Sequence, residues 1–276
     1  MSFELTGLSE KVAIVTGAGR MRSIGRPIAV ELARAGCDVV ITGTGRAPAN
    51  YPADEQAAGW RDIESVAEEI RALGRRCIPV VSDIANADAV DALVTQTMNE
   101  LGRVDIVVNN AGGSPPADSA EAPPKFTQRI VELNLLAPYY VAQRAHHHMV
   151  NQADGGSIIN IGSVVANRPS PTTAAYGAAK AGLLQLSTTL AMEWAPTVRV
   201  NTITVGLILT EQAALFYGDG AERERIESEI PMGRFAMPSD VGDVAVWLAS
   251  DLAGYITGAE IAAHGGGERP PFLGAD

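Results

Sequence analysis

The apolar positions of this chain fall into short, β-branched runs separated by longer stretches of helical period. The runs at residues 12–16, 39–42, 77–81, 105–108, 157–161, 198–204 and 260–263 predict seven strands. The helical patterns at 24–35, 63–73, 87–101, 126–150, 174–194, 211–229 and 239–249 predict the helices between them. Gly36, Gly74 and Gly102 each follow a helical run at the usual stop position. The strand runs are continuously apolar rather than alternating, as in strands covered on both faces. Strands alternating with helices of this length predict an α/β fold: a doubly wound sheet of about seven mostly parallel strands with helices on both faces. No repeat or linker interrupts the pattern, so residues 1–276 read as a single domain. The irregular segment at 43–60 lies beyond the second strand, at the end where open α/β sheets bind ligands, and reads as a loop beside a site.

Composition narrows the functional classes. Hydrophobic content of 46% and charged content of 19% suit a globular chain. A formal net charge of −11 gives no general attraction to polyanions, which argues against nucleic acid and against an anionic membrane surface. No apolar run approaches a membrane span. Residues 1–11 lack the basic flank and hydrophobic stretch of a secretory signal. Cys37 and Cys77 make neither a disulfide framework nor a metal spacing. A cytoplasmic location is therefore expected. His146, His147 and His148 are consecutive; on a helix they point about 100° apart and cannot converge on one ion, so no metal site is expected.

Two constellations carry chemistry. After the first strand comes Thr16-Gly17-Ala18-Gly19-Arg20-Met21-Arg22-Ser23-Ile24-Gly25. Glycines in a strand-to-helix turn let backbone N–H groups approach a pyrophosphate, and the next helix offers its positive end to the same anion. Ser23 is a good N-cap, and Pro27 is tolerated in a first helical turn. Farther on, Tyr176 and Lys180 stand four residues apart at the start of a predicted helix, on one face. A phenol ionises near pH ~10. An adjacent ammonium favours the phenolate, which predicts a tyrosine able to exchange a proton near neutrality. Such a pair alone is ordinarily a surface pair. Here Ser163 ends the fifth strand thirteen residues before Tyr176, and the two constellations share one parallel sheet.

With Asn109-Asn110-Ala111-Gly112 after the fourth strand, these residues resemble the short-chain dehydrogenase/reductase family, over about Leu8 to Gly266. The resemblance implies a Rossmann-type fold and an NAD(P)-dependent enzyme that interconverts a ketone and a secondary alcohol. Tyr176 would be the general acid/base, Ser163 the group that orients the carbonyl oxygen, and Lys180 the phenol's partner. Asn134 would relay protons through water to the lysine. Pro138, four residues on, supplies no N–H to the Asn134 carbonyl and should kink the helix. On the dinucleotide, the resemblance assigns Gly17, Gly19, Arg20, Ser23, Ile24 and Gly25 to the pyrophosphate loop. It assigns Asp83 and Ile84 to the adenine edge and Asn110, Ala111 and Gly112 to the adenosine ribose. Tyr176 and Lys180 join Ile208 and Thr210 at the nicotinamide end. The loop departs from the family pattern, with Met21 and Arg22 read as an insertion and Ser23 in place of a glycine. Val205 stands where the family usually has proline.

NAD-binding relatives of this fold tend to carry an acid at the end of the second strand. That position here is Gly43, flanked by Thr42 and Thr44, with Arg46, Arg20 and Arg22 nearby. Missing repulsion and available guanidinium groups favour NADP(H) over NAD(H). The segment at about 207–235 should cover a largely apolar substrate, such as a 3-oxoacyl thioester or a steroid-like ketone. Leu207, Leu209, Leu215, Phe216 and Tyr217 give it its apolar character. Residues 265–276 form a tail. The charged run 222–229 reads as a solvated helix face, Arg168 as a surface residue and His264 as structural. Small residues on the Tyr176 helix allow close helix packing, and the resemblance implies subunit interfaces at this helix and the Asn134 helix, hence a homotetramer or dimer. Two alternatives stand beside this reading. One is a non-catalytic dinucleotide-binding regulator. The other is an enoyl-thioester reductase, suggested by the Ser23 loop.

Overall fold

The computed structural model describes residues 5–211, 213–218 and 220–267, without the side chains of Ala214 and Leu215. Seven strands form one sheet: β1 (Val12–Val15), β2 (Asp38–Gly43), β3 (Cys77–Val81), β4 (Ile106–Asn109), β5 (Gly156–Ser163), β6 (Val198–Val205) and β7 (Glu260–Ala263). Their order is β3-β2-β1-β4-β5-β6-β7, and every neighbouring pair is parallel. The order reverses between β1 and β4. That switch point opens a crevice at the strands' C-terminal ends, where such sheets bind ligands.

Alternation of buried residues along each strand builds two cores. Ala13, Val15, Val39 and Ile41 face one layer, with α1 (Gly25–Arg34), α3 (Ile63–Ala72) and α10 (Pro238–Ala249). Ile14, Val40 and Val107 face the other, with α4 (Ala87–Leu101), α6 (Ala137–Met149) and α7 (Ala174–Trp194). With both faces covered, the strands must be apolar throughout, which is the pattern in the sequence.

Three regions differ from the sequence expectation. The loop at 43–60 contains a 3₁₀ turn, Pro48–Asn50, and a short helix α2, Ala53–Ala57. The helix expected over 126–150 is α5 (Pro124–Val131), a π turn at Glu132–Leu136, then α6. Pro138 is therefore accommodated beside one widened turn, a common device at functional positions. The helix expected over 211–229 is two helices, α8 (Ala213–Tyr217) and α9 (Gly220–Ser228). The tail beyond Gly267 lies outside the described residues. Among the described residues, no helix is long and apolar enough to cross a membrane.

Candidate active site

A cleft of about 1140 Å³ opens over the switch point and holds both predicted constellations. Its floor at one end is the β1–α1 turn. Gly17 has φ +70, and a Cβ there would lie 2.8 Å from Ala111 Cα, so only glycine brings this backbone so close to the β4 turn. Asn110 Nδ2 donates to the carbonyls of Thr16 and Gly17, and Thr16 Oγ1 accepts from Asn110 and Ala111 N–H groups, locking the two turns together. Ser23 Oγ accepts from Arg26 N–H at 3.3 Å and donates to the Arg20 carbonyl, which ties the loop to the first turn of α1 from one residue ahead of its N-cap, Ile24. Ile24, Thr44, Asp83, Ile84, Gly112, Ile208 and Thr210 also line the cleft. Ser82, on the same wall, has a buried hydroxyl with no hydrogen-bond partner among the described residues. A close glycine cradle, a helix start and an open polar wall fit an elongated phosphate-containing ligand such as a dinucleotide.

Of the residues expected at this end, Arg20, Arg46 and Asp83 line the cleft, each with a partner. Gly25 does not line the cleft; a Cβ there would lie 2.5 Å from Asn110 Nδ2, so this glycine serves helix-to-turn packing. The three arginines are not free. Arg20 pairs with Glu211 at 3.1 Å and Arg22 with Asp54 at 2.9 Å. Arg46 is held between Glu55 at 3.0 Å and Asp62 at 3.2 Å, and its guanidinium lies over the Tyr51 ring. Asp83 lines the cleft but is bound by Arg129 at 2.8 Å, which with the Ala85 N–H holds its carboxyl below the usual range.

At the other end, β5 and α7 bring Ser163, Tyr176 and Lys180 to one wall. Lys180 is 3% exposed and has no carboxylate partner among the described residues; Nζ donates to the Ile161 carbonyl at 2.8 Å and sits 5.6 Å from the Tyr176 ring centroid. Burial lowers its pKa from 10.5 to about 8. The Tyr176 phenol, expected to be lowered by that ammonium, is instead raised. Burial pushes it up, and the Ser163 hydroxyl pulls it only partly back. Asn134 lies wholly buried in the π turn, off the cleft surface. Its Oδ1 accepts from Gly113 N–H, and its Nδ2 donates to the carbonyls of Gly113 and Ile130. A Cβ on Gly112 would fall 2.6 Å from Asn134 Oδ1 and 3.3 Å from Lys180 Nζ, so the amide and the ammonium flank one α-carbon.

The cleft also contains residues that sequence reasoning missed. Thr172, just before α7, has φ +66, a conformation costly for a β-branched residue. Glu211 and Asp62 line it as well. Of the covering segment, Leu207, Phe216 and Tyr217 face the cleft, while the Leu215 side chain lies outside the described residues. Arg225, Ile226 and Glu229 line it too, so the charged run at 222–229 has one face on the site rather than none. Arg168 lies against Gly267, away from this cleft, and His264 packs on Gly206. His146 stacks on Trp194 at 4.2 Å.

A parallel sheet with a dinucleotide-type cradle at one end of its crevice and a Ser/Tyr/Lys cluster at the other defines a nicotinamide-dependent oxidoreductase of alcohol/carbonyl pairs. The chain belongs to the short-chain dehydrogenase/reductase family. Residues 17–268 match the family model described as enoyl-(acyl carrier protein) reductase. The chain is 38% identical over 260 residues to L-rhamnose 1-dehydrogenase (NAD(P)(+)) of Azotobacter vinelandii, covering 94% of this chain and 97% of that one. It is 32% identical over 268 residues to 2-dehydro-3-deoxy-D-gluconate 5-dehydrogenase of Escherichia coli, covering 96% and 97%. Among solved structures, 7α-hydroxysteroid dehydrogenase complexed with NADH and 7-oxo glycochenodeoxycholic acid superposes with a TM-score of 0.82 at 30% identity, covering 96% of each chain.

Proposed function

We propose that Tyr176 is the general acid/base of a ketone/secondary-alcohol interconversion, with Ser163 orienting the substrate oxygen and Lys180 supporting the phenol. The observation that carries this is the shared wall: Ser163, Tyr176 and Lys180 line the same cleft as the glycine turn. A bound nicotinamide dinucleotide would supply or accept the hydride. The raised phenol stays protonated at neutral pH, which suits an acid that donates to a carbonyl oxygen. Lys180, with its charge aimed at the Ile161 carbonyl and the ring, stabilises the phenolate left behind. Asn134 is a positioning residue: its amide clamps Gly113 and so fixes the β4 turn beside Lys180. Intact chemistry at all these positions favours an enzyme over a regulator that kept only the fold.

For the substrate, the wall of Leu207, Phe216 and Tyr217 supports an apolar body. Ser114, Thr172 and Arg225 add polar positions, so the ligand we favour is amphipathic, with the carbonyl at Tyr176. The segment 207–235 acts as its cover. Enoyl reduction, which the family model's description and the Ser23 loop bring to mind, is disfavoured by the four-residue Tyr176–Lys180 spacing. With a reduced dinucleotide, a 3-oxoacyl thioester should be turned over and the matching 2-enoyl thioester should not. Reduction of the enoyl compound alone would refute carbonyl chemistry.

We further read the protein as a self-associating cytoplasmic enzyme. Burial raises the Cys37 and Cys77 thiols to about 12, which suits inert, reduced cysteines. On α7, Met192 near the helix's C-terminal end is 85% exposed. Sizing chromatography should give a dimer or tetramer; a monomer at micromolar concentration would remove α7 as an interface.

A further inference from the structure

We propose that Asp62, delivered by the loop after β2, reads the adenosine ribose and makes this protein selective for NAD(H) over NADP(H). The inference rests on the dinucleotide reading above and deepens it. In this fold an acid that selects NAD follows the second strand. The β2 terminus here is Gly43, with no side chain. Asp62 supplies the missing carboxylate in space rather than in sequence. A Cβ on Gly43 would lie 3.4 Å from Asp62 Oδ1, and a Cβ on Gly19 would lie only 1.5 Å from the same oxygen. The carboxylate therefore occupies the space between the β2 end and the glycine turn, on the cleft wall.

The chain goes to some lengths to hold it there. Asp62 has φ +55 and ψ −130, outside the left-handed helical region that aspartates visit readily, so its surroundings impose this backbone. Trp60 Nε1 donates to the Gly19 carbonyl at 2.7 Å, pinning the returning loop to the glycine turn. Glu55, 1% exposed, accepts from Met21 N–H at 2.8 Å, tying α2 to the two-residue insertion in that turn. Arg46 bridges Glu55 and Asp62. Three of its N–H donors are thereby used, and the triad of one guanidinium and two carboxylates carries a formal net charge of −1. Arg20 and Arg22 are each held by a carboxylate as well. A ribose with free 2′- and 3′-hydroxyls can donate to Asp62. A 2′-phosphate would meet that anion with no uncommitted arginine among those near the turn.

The test is titration of nicotinamide fluorescence with purified wild-type protein, Asp62→Asn and Asp62→Gly. Glycine suits the positive φ, so the second variant separates recognition from backbone strain. Circular dichroism reports folding of each. Wild type should bind NADH at least about tenfold more tightly than NADPH, a factor worth one charge-assisted hydrogen bond. In both variants the NADH/NADPH ratio should fall about tenfold or more. A wild-type preference for NADPH, or a ratio unchanged in the variants, overturns the role of Asp62 and leaves dinucleotide binding intact. Binding of neither nucleotide to folded wild type overturns the dinucleotide reading and this inference with it.

Discussion

Replacing Tyr176 with phenylalanine should lower turnover by at least about 10³-fold while NADH or NADPH binding changes by less than about twofold. The substitution removes one hydroxyl from a half-buried ring and leaves its volume, its place in α7 and its contact with Lys180. The acid is then gone. Water cannot replace it well, because the phenol sits where burial, not solvent, sets its pKa. The same raised pKa gives the pH dependence a sign. Carbonyl reduction needs the protonated phenol and should hold through neutrality, falling only as pH climbs past the phenol's pKa. Alcohol oxidation needs the base and should rise with pH over the same range. Steady-state turnover and fluorescence binding on the same preparation check both parts. Turnover above about a tenth of wild type would take the phenol out of the chemistry; a parallel loss of nucleotide binding would mean that the ring's packing was the cause.

The fold was legible because its strands are buried on both faces and its helices are punctuated by glycine. The run at 77–81, for instance, is β3 (Cys77–Val81) to the residue. The Ser163, Tyr176 and Lys180 wall was legible for a related reason. A strand end and one helix face hold those residues at spacings that sequence records directly. The adenosine end was not. Asp62 reaches the glycine turn only because residues 44–62 leave the sheet, form α2 and return, and no period marks that return. Its sole local signal was an acidic residue before a helical run, which reads as an ordinary N-cap. The pairing of the arginines was hidden for the opposite reason. Arg20 and Arg46 do lie at the cleft, but their partners Glu211 and Asp62 come from distant positions, so their charge looked available when it was committed. The tyrosine's pKa was misjudged because proximity to an ammonium is visible in sequence and the depth of burial is not.

Lys180→Met carries the second large effect, and it should move activity and stability in opposite directions. Turnover should fall by about 10²-fold or more, since the group that stabilises the phenolate is removed. Stability should not fall. The native ammonium is 3% exposed and, among the described residues, is unpaired by any carboxylate and held by one hydrogen bond to the Ile161 carbonyl. Its pKa drops from 10.5 in the unfolded reference to about 8 in the folded protein, a penalty of about 3 kcal/mol when it is charged. Methionine of similar shape removes that penalty and leaves one carbonyl short of a partner, at about 1–3 kcal/mol. The variant should therefore be as stable as wild type or up to about 2 kcal/mol more so at pH 7, by urea unfolding. The unfolded lysine binds more protons than the folded one between pH 8 and 10.5. Wild-type stability from this group thus rises with pH across that window, and the advantage of the variant is full below about pH 8 and gone by about pH 10.5. Destabilisation by more than about 2 kcal/mol at pH 7 would mean that Lys180 is a structural tie between α7 and β5. A stable, inactive variant would mark a buried charge kept for chemistry at the expense of the fold.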